Sequence, residues 1–184
     1  MVGSETVFLQ GNAGYLKYQD TSTGQLLVEH RTKFGACNVM TQNLHNAVIY
    51  LGHQNGRVTL WTPNLPHPAV QLLAHLGPVV SASVDPCQGG RYMATSGRDG
   101  TVKVWDCRNW KGVLREWTVR GGGDPVVEWS QRGYLAVANS GSVNVCVAIF
   151  PESCSTGSSP LCLRFTVHLQ YKHTSMPRRC PLCT

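Results

Sequence analysis

No apolar run in this 184-residue chain approaches the length needed to cross a bilayer, and no secretory leader is visible at its start. No Asn-x-Ser/Thr acceptor appears either. The eight cysteines are scattered, mostly within or beside apolar runs. Together these features describe an intracellular chain with reduced thiols. Acidic residues are sparse, 10 against 16 Lys and Arg, which leaves a net charge of +6. Such a surplus suits an RNA-rich setting without being diagnostic of direct contact. Motifs that carry chemistry are missing too. The glycine run at Gly121, Gly122 and Gly123 has neither a following helix nor a Lys, so it reads as a loop rather than a phosphate cradle. Ser96 lacks the Gly-x-Ser-x-Gly elbow, which argues against a hydrolase triad with His75 and Asp99. Cys180 and Cys183 have zinc-knuckle spacing, but a structural site wants a second pair, and Cys154, Cys162, His168 and His173 follow no recognised pattern. No catalytic residue, metal, cofactor, small-molecule substrate or membrane contact is therefore expected.

The chain does contain strands and turns in series. The clearest stretch is 91–106. Residues 92–96 are short, apolar and β-compatible; Gly97, Arg98, Asp99 and Gly100 supply turn chemistry; Thr101 to Trp105 is β-branched and ends in an aromatic. Residues 46–61 have the same shape, with Gly56 and Trp61 each 44 residues before Gly100 and Trp105. A third copy runs through 11–20, its Gly14 lying 42 residues before Gly56, and a fourth through 134–146, with Cys146 in place of Trp. A period of about 40–45 residues, a loop His, an Asp-containing turn and a closing Trp-Asp resemble the WD repeat, one blade of a β-propeller. In that family a His, a Ser or Thr, the turn Asp and the Trp form a buried hydrogen-bond chain. The resemblance places this tetrad at His75, Thr95 (or Ser96, if the register slips), Asp99 and Trp105. Buried between sheets, the indole N–H and the carboxylate need partners, and the His and hydroxyl supply them. The repeat accounts for His75, Ser96 and Asp99 as architecture. The copy at 46–61 is degenerate: Asn55 replaces the Asp, Thr62 the final Asp, and Leu51 stands where Thr95 would. No equivalent network is expected there.

Three phrases narrow the resemblance: Asn38 to Asn43 running into Asn46 to His53, Gly56 to Asn64, and Trp129 to Gly133. With Tyr92 to Gly97 they resemble the BING-type WD-repeat proteins of the small-subunit processome, over roughly residues 5 to 146. That family implies a non-enzymatic scaffold, acting in the nucleolus in maturation of small-subunit ribosomal RNA. Its partners would be other processome proteins, with pre-ribosomal RNA as a further candidate. A generic WD-repeat adaptor, such as a substrate receptor or chromatin reader, is the alternative, and the phrase at 38–53 is what such adaptors lack.

The fold expected is all-β: a partial WD-repeat propeller over 1–150, about four blade units of an expected seven, in an open or incomplete ring. The family's leading helical region, remaining blades and C-terminal domain find no counterpart, and the sequence beyond about Val147 departs from it, as in a truncated or mis-spliced gene model. Residues 151–184 form a divergent Cys-rich tail with a linker-like start and one amphipathic strand at 161–171, able to add to the fourth unit as an outer strand. The terminal units are expected to expose apolar faces. Residues 107–114 are expected to wrap around the edge of the best blade. Seven basic residues, Arg91, Arg98, Lys103, Arg108, Lys111, Arg115 and Arg120, share 91–120 with three acids. They read either as a solvated rim or as a surface for an acidic partner or RNA, without the interleaved aromatics of a base-reading platform.

Overall fold

A computed structural model of the chain describes residues 6–11, 14–119, 123–140, 142–146 and 164–167, the first and last two of these segments by backbone alone. Among the described residues every regular element is a strand, and the strands form four antiparallel sheets. The first holds β1 (Thr6–Gly11), β2 (Tyr15–Asp20) and β3 (Leu26–Arg31). The second holds β4 (Cys37–Gln42), β5 (Ile49–His53), β6 (Arg57–Trp61) and β7 (Val70–Leu73). The third holds β8 (Val79–Val84), β9 (Tyr92–Gly97), β10 (Thr101–Asp106) and β11 (Asn109–Thr118). The fourth holds β12 (Val126–Trp129), β13 (Leu135–Asn139), β14 (Ser142–Cys146) and β15 (Arg164–Val167). Each is a simple meander, and β4, β8 and β12 lie side by side as the innermost strands. The sheets make an open series, the architecture of a partial propeller.

Glycines fix the register of the repeat. Gly14, Gly56 and Gly100 follow the same hairpin position and have φ of 76°, 77° and 75°. That left-handed region costs a side chain energy and glycine nothing. Each carbonyl then accepts the N–H of the residue just beyond the outer strand: Thr32, Ala74 and Val119, at 2.7, 3.0 and 2.9 Å. At the other end of the sheets, Asn43, Asp85 and Ser130 each fold their side chain back on the N–H two residues on, at His45, Cys87 and Arg132. Such self-bonding turns stop the inner strand and start the next.

Packing between sheets supplies the core. Tyr92, Ala94, Val102 and Val104 meet Val127, Trp129, Leu135 and Val137 across the third and fourth sheets. Tyr50, Val58 and Leu60 meet Val79, Met93 and Trp105 across the second and third. Leu16 and Tyr18 meet Ile49, Leu51 and Trp61 across the first and second. Polar bonds tie the inner strands: Ser81 Oγ donates to the Val127 carbonyl at 3.1 Å, and Trp129 N–H donates to Ser83 Oγ at 3.0 Å.

One expectation needs correction. Residues 107–114 do not wrap around an edge; from Asn109 they enter β11, a ten-residue outer strand paired with β10. On the first sheet Leu26 and Leu27 are exposed, at 50% and 49%. The cross-strand pairs there are Lys17 with Glu29, 2.9 Å apart, and Arg31 over the Tyr15 ring. Arg164–Val167, inside the expected amphipathic strand, pairs with β14 as the fourth sheet's outer strand. The linker at 151–160, Cys154, Cys162, His168, His173, Cys180, Cys183 and Arg120 lie outside the described residues.

Candidate functional site

In the third sheet His75, Thr95, Asp99 and Trp105 converge. Trp105 is carried by β10 and Thr95 by β9; His75 comes from the loop after β7, and Asp99 from the hairpin between β9 and β10. The Trp105 indole N–H donates to Thr95 Oγ1 at 2.9 Å, and Thr95 Oγ1 lies 2.9 Å from His75 Nε2. His75 Nδ1 lies 3.3 Å from Asp99 Oδ1 and 3.0 Å from Thr101 Oγ1. Asp99 also accepts the Leu76 N–H, the Thr101 N–H and the Thr101 hydroxyl, at 2.9, 3.0 and 2.8 Å.

Proton directions follow from these contacts. Burial lowers the His75 pKa, outweighing the pull of Asp99 in the other direction. Burial would raise that of Asp99, but the Leu76 N–H, Thr101 and His75 outweigh it, and its pKa falls. A neutral His75 beside an ionised Asp99 assigns the chain: Trp105 N–H to Thr95, Thr95 O–H to His75 Nε2, His75 Nδ1–H to Asp99 and Thr101. Every member has a partner. His75 is fully buried, and a Cβ on Gly97 would lie 2.5 Å from its ring. The hydroxyl in this chain is that of Thr95; Ser96 instead donates to the Pro125 carbonyl. Thr101 is a member that sequence reading missed, because its β-branched side chain looked like strand filler.

The second sheet overturns the expectation that it would lack such a network. Trp61 N–H donates to Thr59 Oγ1 at 2.8 Å, and His53 Nε2 lies 2.7 Å from the same oxygen. Leu51 does stand at the place of Thr95, but Thr59 is its cross-strand partner on β6, where the third sheet pairs Thr95 with Lys103. The hydroxyl has crossed to the neighbouring strand at the same level. His53 occupies the place of Gly97, so it supplies the imidazole from within β5 rather than from the loop. Asn55 only organises its turn, accepting the Arg57 N–H at 3.2 Å and donating to the Phe34 carbonyl at 3.3 Å. Phe34 lies against His53, and His30 stacks on Trp61. His53 Nδ1 has no partner among the described residues, and burial lowers the His53 pKa to about 4. The sequence signal for this network is the His-x5-Thr-x-Trp spacing of His53, Thr59 and Trp61, which does not involve Asn55.

Of the six described basic residues, Arg91, Arg98, Lys103 and Arg108 lie against acids. Arg91 and Arg108 both approach Asp106, at 3.4 and 3.3 Å. Arg98 makes a two-point pair with Asp124 at 3.2 and 2.9 Å, over a cleft of about 310 Å³ floored by Pro78, Val79 and Val80. Lys103 lies 3.5 Å from Glu116. Lys111 and Arg115 are exposed on β11, and neither meets an acidic side chain among the described residues. No group of three His, Cys, Asp or Glu among the described residues is placed to hold a metal ion.

No family model matches the chain. Individual proteins do. It is 54% identical over 101 residues to U3 small nucleolar RNA-associated protein 7 of Saccharomyces cerevisiae, across 55% of this chain and 18% of that protein. It is 39% identical over 132 residues to WD repeat-containing protein 46 of Homo sapiens, across 72% of this chain and 21% of that protein. The Caenorhabditis elegans protein of the same name is 45% identical over 94 residues, across 51% of this chain and 16% of its own length. The match thus spans about a fifth of these relatives. With four repeat units in phase and a complete tetrad in the third sheet, the chain is a homologue, over part of their length, of the WD-repeat proteins U3 small nucleolar RNA-associated protein 7 and WD repeat-containing protein 46.

Proposed function

We propose that this chain is a non-enzymatic scaffold element of the small-subunit processome, supporting maturation of small-subunit ribosomal RNA in the nucleolus. The observation that carries the reading is the 54% identity over 101 residues to a protein named for association with U3 small nucleolar RNA. The site chemistry agrees with a scaffold. His75, Thr95, Asp99 and Trp105 spend their donors and acceptors on one another, so no poised nucleophile and base face a substrate. Its working surfaces are then blade edges and rims, with other processome proteins as partners and pre-ribosomal RNA as a further contact.

Depletion of the protein tests this. Unprocessed small-subunit precursor RNA is expected to accumulate, and a tagged copy to concentrate in nucleoli. Normal precursor levels after depletion, with the tag spread through the nucleoplasm, would turn the assignment to a generic WD-repeat adaptor.

A further inference from the structure

The outer strand of the third sheet differs from its counterparts. β11 has ten residues, where β3 has six and β7 four. It ends its sheet, so among the described residues one row of its amides and carbonyls has no strand partner. Pairing with β10 is regular from Thr101↔Thr118 to Val104↔Arg115 and then shifts on either side of Trp105. Short length and proline, two usual protections of an edge against other strands, are both absent from 109–118. Val113 and Leu114 are exposed, at 37% and 44%, and Gly112 has open space around it.

Charge narrows the occupant. Glu116 is answered by Lys103, which leaves Lys111 and Arg115 as exposed cations facing no acid among the described residues. Apolar side chains lie between them. An RNA strand would want flat aromatic surfaces, but Trp110 and Trp117 at the strand's ends are packed against the cores.

We propose that the free edge of β11 takes up an extended acidic peptide segment of a partner protein as a fifth strand of the third sheet. Backbone bonds would set register and much of the affinity, Val113 and Leu114 would meet the peptide's apolar positions, and Lys111 and Arg115 would select its carboxylates. The inference goes beyond the scaffold reading and is tested without any ribosomal readout.

The test titrates the full chain with a fluorescent twelve-residue peptide of alternating Val and Glu, a matched Val–Lys peptide and a twelve-nucleotide uridine oligomer, and follows amide hydrogen exchange. The Val–Glu peptide is expected to bind and to slow exchange within Asn109–Thr118, and the Val–Lys peptide is expected not to bind. The double variant Lys111→Glu, Arg115→Glu should weaken binding about tenfold or more with an unchanged circular dichroism spectrum. Arg98→Glu, an exposed cation away from this edge, should leave binding unchanged. No binding, binding without protection of β11, equal loss in Arg98→Glu, or tighter uridine-oligomer binding at this edge would each overturn the proposal.

Discussion

In the third sheet Trp105 donates to a threonine on the neighbouring strand, Thr95; in the second, Trp61 donates to a threonine on its own strand, Thr59. Both threonines also hold a histidine Nε2, His75 from a loop and His53 from a strand. One requirement, a partner for a buried indole N–H, is thus met by two residue patterns. The difference lies beyond the histidine. His75 passes on to Asp99 and Thr101, and Asp99 reaches back to the Leu76 N–H, so the loop, the hairpin and two strands are tied in one circuit. His53 ends its chain with Nδ1 unpartnered among the described residues, against Phe34. A buried donor without an acceptor costs about 1–3 kcal/mol. The second network satisfies its tryptophan at that cost; the third satisfies every member.

The largest effects should be common to both sheets. Trp61 and Trp105 are 1% and 4% exposed. Trp61→Ala and Trp105→Ala should each cost about 3–5 kcal/mol in urea unfolding. If one proves far milder than the other, the two indoles do not hold equivalent places.

Acid should separate the sheets next. The pKa of His53 is lowered to about 4 by burial, and that of His75 is lowered by burial against the opposing pull of Asp99. A histidine whose folded pKa is depressed takes up its proton more readily in the unfolded chain. Stability from such a group is complete above about pH 6.5 and declines as pH falls toward the folded value. For His53 the loss is expected to reach about 3 kcal/mol near pH 4. Proton NMR of the imidazoles should show His53 neutral at pH 5; a midpoint near 6.5 would mean that its ring reaches water.

Thr59→Val and Thr95→Val come third. Each strands an indole N–H and an imidazole nitrogen, at about 1–3 kcal/mol. A neutral Thr59→Val would reduce the second network to a coincidence of distances. Asp99→Ala falls in the same range, because it frees the His75 and Thr101 donors. The smallest effect is at its counterpart: Asn55→Ala, on an exposed turn outside the network, should stay within about 0.5 kcal/mol in the same unfolding experiment. A larger loss would give Asn55 a role that its contacts do not show.

Much of this was legible in the chain itself. The 42- and 44-residue spacings of Gly14, Gly56 and Gly100 set the repeat, because a left-handed turn position admits glycine at no cost and alternating β-branched residues make strands on either side. The Asp-Gly hairpin and the closing Trp located the third sheet's tetrad. Tertiary structure alone decided which hydroxyl serves which indole. Thr59 and Thr95 lie on different strands and far apart in sequence register, and only cross-strand pairing, Leu51 with Thr59 and Lys103 with Thr95, puts both at one level beneath a tryptophan. Pairing also sorted the cations, drawing Arg91, Arg98, Lys103 and Arg108 onto acids brought near by turns and neighbouring strands, and leaving Lys111 and Arg115 on an open edge. Sequence spacing fixes local geometry through backbone sterics, whereas partners across strands are set by register, which no local pattern encodes.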